Sequence, residues 1–402
     1  MKILLTNSKL HYSHGPKFLQ PDWVNLTLPY IAAIAGNHDI KIVDNSFNKN
    51  YKTLEKSIKS FSPDIIGFSM IAGRDIPQII PEIKRINKTK IIAGGQGAAY
   101  NSETLEKLGV IVFKDECEKA LPYFLETGEL KEFKRINLDD SPIPRWDLTS
   151  KTKSKTFNTF SGSIEMSRGC PYKCDFCCIA SFWHSHRHKS SDRIIEELKY
   201  LNSQDRKHVY MTDDSFGIGT KRHMELLDKI LVSGLNMKFF TQIRADVVAN
   251  NPEMMKLAKK AGLSSVLVGY DSYDNEVLKE NTKTTTVEIN YKCTKVLRDN
   301  KIAIIGSHIY GLPGQKSFKK TFEVGRKNSD VFCMPYYDER PKPKISTYDP
   351  KYVKYLSKNQ FSLSEIVGIL AHPDKVIREL KRGGLSKYIN CTLGYYLNKK
   401  KK

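Results

Sequence analysis

The feature that most constrains this fold is an alternation that runs through the chain twice. Short β-rich runs alternate with stretches whose apolar residues recur every three to four positions. From Met1 to about Phe124 the β-rich runs are "KILLTN", "DIKIVDN", "PDIIGFSM", "TKIIAGG" and "VIVFKDE". Between them lie "LTLPYIAAIAG", "YKTLEKSIKSF", "IPQIIPEIKRI" and "NSETLEKLG", which have helical periodicity. Single helices between successive strands imply right-handed βαβ units and a parallel, doubly wound α/β sheet. Ligands of such sheets sit at the carboxyl ends of the strands. That places Asn7, the turn from Ser69 to Asp75 (which includes Arg74) and the turn opening at Gly94 and Gly95 as candidate ligand positions. The paired glycines permit close backbone approach.

A Pro- and Asp-rich stretch, "DDSPIPRWD", and the polar "LTSKTKSKTFNTF" lack a sustained period and read as a connector. A second alternating series follows, with strands "GSIEMSR", "HVYMTDD", "MKFFTQIRAD", "SSVLVGYDS" and "IAIIGSHIYG". Its strands are long enough to close, or partly close, a barrel whose chemistry belongs at the C-terminal strand ends. The expected division is residues 1–128 for the first sheet, 129–160 for the connector and 161–330 for the barrel. Residues 331–402 are expected to be a helical extension with a basic tail.

The first strand of the second series runs into "EMSRGCPYKCDFCCIASFWHSH". Of the 8 cysteines in the chain, Cys170, Cys174, Cys177 and Cys178 fall within this stretch. The usual zinc framework needs two separated Cys/His pairs, which this spacing does not provide. Several thiolates on one tight loop suit an iron–sulfur cluster. A cubane takes one ligand per iron, so three cysteines leave one iron open. Gly169 and Pro171 give the loop the turn chemistry to wrap such a group. The nearby His184, His186 and His188 read as solvated or substrate-facing side chains, with a shared helix face for His184 and His188 as the metal-binding alternative.

"CPYKCDFC" resembles the CxxxCxΦC signature of the radical S-adenosylmethionine superfamily, with Phe176 as the aromatic residue. The resemblance implies a 4Fe-4S cluster on Cys170, Cys174 and Cys177, with S-adenosylmethionine on the open iron. By the same resemblance, Asp213 and Asp214 stand where polar residues meet the methionine amino group. Gln242 and Arg244 stand where ribose or carboxylate contacts arise, and Gly269 and Asp271 match a Gly-x-Glu-like element with Asp in place of Glu. The first half resembles the cobalamin-binding domain that often precedes such a barrel. The implied fold class is therefore α/β: a Rossmann/flavodoxin-like sheet of cobalamin-binding type, then a partial (β/α)6 barrel. There are departures. No Asp-x-His-x-x-Gly element supplies a lower cobalt ligand, and the usual Gly-Glu-Gly-Glu is here "KDECE", with Lys114, Asp115 and Cys117 as substitutions.

The activity these resemblances imply is cobalamin-dependent methyl transfer to an unactivated carbon, fed by a one-electron reductant such as flavodoxin or ferredoxin. Two alternatives remain. One is a radical cyclase or rearrangement enzyme with cobalamin absent or redox-only; the other is a basic nucleic-acid-binding protein with a structural cluster. Methylthiolation of tRNA calls for a second cysteine triad in the first domain, which has only Cys117. The net charge of +21, from 65 basic against 44 acidic residues, permits an acidic substrate. Its lysines are scattered, dense only at Lys151–Lys155, Arg340–Lys344 and Lys399–Lys402, which argues for a solvated face over a nucleic-acid partner. No apolar run approaches the roughly 20 residues of a membrane span. The opening residues read as a first strand rather than an export signal, so the expected location is the reducing cytoplasm.

Overall fold

The computed structural model describes residues 1–7, 25–45, 52–71, 76–86, 89–149 and 161–333. All of these belong to one compact unit formed by Met1–Leu10 and Asp22–Thr347. Arg74, the three lysine-dense stretches and most of the expected C-terminal extension lie outside the described residues.

The first sheet has five strands: β1 (Lys2–Asn7), β2 (Asp39–Val43), β3 (Ile65–Ser69), β4 (Lys90–Gly94) and β5 (Ile111–Phe113). All pair in parallel, in the order β2-β1-β3-β4-β5. Neighbouring strand residues supply different cores. Leu4, Ile66 and Phe68 join Ile79 and Leu105 on one side, while Ile3, Leu5 and Ile65 join Leu28, Leu121 and Phe124 on the other. A strand covered on both faces reads as a continuous apolar run, which is why "KILL" and "DIIGF" were conspicuous.

In the second half, β6 (Gly162–Ile164) is followed by a two-residue antiparallel ladder between β7 (Ser167–Arg168) and β8 (Arg187–His188), and this ladder forms the neck of the cysteine loop. The remaining strands are β9 (His208–Phe216), β10 (Lys238–Arg244), β11 (Leu263–Asp271), β12 (Ala303–His308) and β13 (Val331–Cys333). They form a six-stranded parallel sheet in the order β13-β12-β11-β10-β9-β6, so β6 and β13 are its edges. The expected single strand "GSIEMSR" is not continuous. Glu165 and Met166 break it, and β7 leaves the sheet to pair with β8. A core around Phe216, Phe240, Val266 and Leu297 joins this sheet to its helices. The second series thereby brings the loop after β6 and the ends of β9, β10 and β11 to one rim.

Candidate functional site

The cysteine loop occupies residues 169–186, between β7 and β8. Gly169 opens it with φ +87°, and a Cβ there would run into the Ser185 carbonyl at the other end of the loop. Glycine is therefore required where the two strands of the neck part. The Gly169 amide donates to Asp214 Oδ2 at 2.8 Å, and the Cys177 amide donates to the Cys174 carbonyl at 3.0 Å, turning the chain back on itself. All four cysteines are half-buried free thiols. Burial raises the Cys170 thiol and pushes Cys177 up to about 12, with Cys178, Cys174 and Cys170 adding to the effect on Cys177.

Among the described residues, no three His, Cys, Asp or Glu side chains converge as ligands of a single metal ion. A single tetrahedral site holds its sulfurs about 3.8 Å apart. A cluster takes one thiolate per iron and spaces its ligand sulfurs more widely, so half-buried free thiols on one wrapped loop fit a multinuclear group. Metal binding displaces the thiol protons, so the raised pKa values describe the metal-free loop.

The barrel residues surround this loop. Arg244 Nη1 donates to Cys174 Sγ at 3.7 Å, and its guanidinium lies over the Tyr172 ring at 3.5 Å. Thr282 Oγ1 donates to Asp175 Oδ2 at 2.6 Å, and the Asp175 amide donates to the Asn281 carbonyl at 3.3 Å. Lys283 Nζ pairs with Asp271 Oδ2 at 2.5 Å and lies 5.9 Å from the Phe176 ring centroid. Sequence reasoning missed this clasp of residues 281–285. Its signal is the hydroxyl-rich "NTKTTT" shortly after Asp271.

The other barrel candidates differ in what they face. Asp213 is 2% exposed; it accepts from Ser167 Oγ at 2.6 Å and lies 3.4 Å from His223 Nε2, on the helix Thr220–Val232. Burial alone would raise its pKa, but the His223 and Ser167 contacts hold it below the usual carboxylate range. Asp214 faces the loop instead. Burial pushes it up to about 7, opposed by the Gly169 amide and aided by the Asp213 and Glu165 charges. Gln242 Nε2 donates to the Tyr210 hydroxyl. Asp271 closes β11 at φ +61°. A Cβ at Gly269 would meet Lys283 Nζ at 3.5 Å, ordinary contact, so no crowding by its neighbours demands glycine there. His184 ends its short helix with φ +58° while His188 lies in β8, so the two share no helix face.

At the first sheet, Asn7, Ser69 and Gly94 end β1, β3 and β4. Asn7 joins the strand ends: its Nδ2 donates to Asp44 Oδ1 at 3.0 Å, and its Oδ1 accepts from the Asn45 amide at 2.8 Å. Ser69 is buried, and its Oγ makes no hydrogen bond among the described residues. Gly95 has φ +97°, and a Cβ there would approach the Met70 carbonyl to 2.5 Å, so chain packing alone requires glycine. A Cβ at Gly94 would meet only Phe113, at 3.8 Å and beyond, which leaves its surface open to a ligand. An orphaned hydroxyl beside an uncrowded glycine at the strand ends fits a group bound there, such as a corrin.

The turn after β4 touches the cysteine loop directly. Gln96 Oε1 lies 3.6 Å from Cys178 Sγ, and the Tyr100 hydroxyl lies 3.2 Å from Ser181 Oγ. The acids of "KDECE" form the second contact. Arg168, at the neck, lies 2.9 Å from Glu116 Oε2, 2.7 Å from Glu118 Oε1 and 2.9 Å from Glu165 Oε2, and it donates to the Tyr30 hydroxyl at 3.1 Å. Arg187 also pairs with Glu116, and Arg135 bridges Asp115 at 2.8 Å and the Trp183 carbonyl. Burial raises Glu116 against the pull of Arg168. In Glu118 the burial cost is outweighed by Arg168 and the Tyr30 hydroxyl, and its pKa falls. The departure seen in the sequence keeps glutamates at 116 and 118, and both are used at this junction. A cavity of about 180 Å³ opens beside it, between Tyr100, Arg135, Phe182 and His184.

Comparison with known proteins agrees with this arrangement. The model of the Radical SAM superfamily matches residues 164–319, and that of the B12 binding domain matches residues 19–125. The hopanoid C-3 methylase of Methylococcus capsulatus is 26% identical over 316 residues, which are 71% of this chain and 60% of that protein. An uncharacterised methyltransferase of Pyrococcus horikoshii is 28% identical over 322 residues, 72% of this chain and 70% of that protein. Among solved structures, the radical S-adenosylmethionine methyltransferase TsrM of Kitasatospora setae, with cobalamin and a [4Fe-4S] cluster bound, superposes with a TM-score of 0.62 at 17% identity. That superposition covers 83% of this chain and 74% of TsrM. The chain thus spans less than two thirds of the hopanoid methylase and carries the same fold as TsrM. Residues 19–125 thus match a B12 binding domain and residues 164–319 a radical S-adenosylmethionine domain, and the chain carries the two in that order.

Proposed function

We propose that this chain is a cobalamin-dependent radical S-adenosylmethionine methyltransferase acting on an unactivated carbon. One observation carries the reading: the turn after β4, where a corrin would lie, is in direct contact with the cysteine loop, through Gln96 and Cys178 and through Tyr100 and Ser181. The residues that would hold the two cofactors therefore lie on elements in direct contact.

Cys170, Cys174 and Cys177 would hold the cluster, and Cys178 is left to its contact with Gln96. Ser69 and Gly94 would meet the corrin. The chemistry these cofactors supply when bound is one-electron cleavage of a sulfonium carbon–sulfur bond and carriage of a methyl group on cobalt. The protein supplies aim and exclusion of water. Gly169 and Asp214 set the opening of the loop, the 281–285 clasp holds its middle, and the Arg168 pairs fix the junction. The electron comes from a flavodoxin- or ferredoxin-like donor in the cytoplasm. No helix among the described residues is long and apolar enough to cross a membrane.

Anaerobic preparation with cobalamin supplied tests the reading. It requires about four iron and four sulfide per chain, a corrinoid spectrum, and 5′-deoxyadenosine on addition of S-adenosylmethionine and reductant. Protein with a cluster but no affinity for corrinoid overturns the methyl-transfer reading and leaves the superfamily assignment standing.

A further inference from the structure

The family resemblance places Arg244 where a ribose or carboxylate contact to S-adenosylmethionine arises. Its surroundings leave little room for that. A guanidinium grips a carboxylate through two parallel N–H groups, and here that fork is already occupied. Nε donates to Asp246 Oδ1 at 2.9 Å and Nη2 to Asp246 Oδ2 at 2.7 Å. Nη2 also donates to Thr284 Oγ1 at 2.9 Å. One face of the plane is stacked on Tyr172, and the residue is buried, with only 6% of its surface exposed. The edge that remains, Nη1, reaches Cys174 Sγ at 3.7 Å.

We propose that Arg244 is a tuning residue for the cluster: a fixed cationic donor to the Cys174 sulfur that raises the potential at which the cluster accepts its electron. The assignment rests on the reading of Cys170, Cys174 and Cys177 as cluster ligands. Its physical basis is general. Reduction adds negative charge to the cluster and its sulfurs, and a donor aimed at a ligand sulfur stabilises that charge. Asp246 offsets part of the cation's field at long range. It leaves the short-range N–H dipole on the sulfur, which Asp246, Thr284 and Tyr172 lock in direction. Tyr172 and Cys174 belong to the same loop, so one side chain orients both the loop and its ligand.

The test is a potentiometric titration, followed by electron paramagnetic resonance, of the reconstituted full-length protein without S-adenosylmethionine. Wild type is compared with Arg244→Gln and Arg244→Lys, each checked for equal iron and sulfide. Arg244→Gln is expected to lower the reduced-to-oxidised ratio at a fixed potential about tenfold, a shift of about 59 mV to more negative values for one electron. Arg244→Lys keeps the charge that Asp246 needs and loses the planar donor edge, so it is expected to shift part of the way. It also serves as the test if the Gln variant fails to fold. Unchanged potentials overturn the assignment, and if S-adenosylmethionine affinity falls tenfold instead, Arg244 is a carboxylate anchor. A wild-type protein that takes up no iron sinks the cluster reading itself, whereas a wild-type cluster indifferent to Arg244 sinks only this proposal.

Discussion

The Arg168 guanidinium and the Glu116 carboxylate meet at 2.9 Å, each side chain only 4% exposed, although one precedes the cysteine loop and the other follows the last strand of the first sheet. Glu118, Glu165 and Tyr30 complete the set around the same cation. Removing that cation leaves three carboxylates crowded together, two of them buried. Breaking a buried pair from one side costs about 3–5 kcal/mol. Arg168→Met is therefore expected to lower the urea midpoint strongly, and Arg168→Lys to restore part of it. Where Arg168→Lys retains its cofactors, it is expected to form 5′-deoxyadenosine with less methylated product per turnover. Product ratios that match wild type would show that the junction does not align the two sites.

Cys177 and Cys178 are adjacent, and the proposed roles separate them. Cys177→Ala and Cys174→Ala are expected to reduce iron uptake to background, while Cys178→Ala, which loses a contact to Gln96, is expected to keep about four irons. Iron and sulfide assays on anaerobically reconstituted variants decide this. Equal loss in Cys177→Ala and Cys178→Ala would mean that the ligand set is wrong.

Gly169 has a left-handed backbone and no space for a Cβ beside the Ser185 carbonyl. The conformation alone costs an alanine about 1–2 kcal/mol, and the clash adds to it by parting the neck. Gly169→Ala is expected to lose cluster uptake at least tenfold while circular dichroism of the rest stays near wild type. The mixed outcome, full uptake with a stable fold, would show that the neck tolerates opening.

Asp213 gives a pH dependence with a definite sign. Its folded pKa is depressed, so its contribution is fully present above the unfolded carboxylate value of about 3.9 and is lost as pH falls through the lower folded value. Asp213→Asn is expected to cost about 1–3 kcal/mol at pH 7, with the gap to wild type closing below about pH 4. Denaturation midpoints across that range measure it. A gap that stays constant with pH would show that packing, and not charge, holds Asp213 in place.

Much of this architecture was legible because its signals are local. Parallel strands buried on both faces appear as apolar runs such as Ile3–Leu5 and Ile65–Phe68, and the cysteines lie within one loop. The junction was not legible. Arg168 with Glu116, and Thr282 with Asp175, are pairs between distant parts of the chain, and no period or motif marks them. The two aspartates after Thr212 could not be told apart by residue type either. Adjacent strand positions face opposite ways, so Asp213 meets a helix and Asp214 meets the loop. Gly95 was a candidate ligand position, yet its glycine is already explained by the nearby Met70 carbonyl.

The loop that carries Cys170, Cys174 and Cys177 is pinned on one flank by Gln96 and Tyr100 and on the other by Thr282 and Arg244. A segment fastened from both directions opens only when both let go. Weakening one flank alone therefore leaves the three thiols held in place by the other.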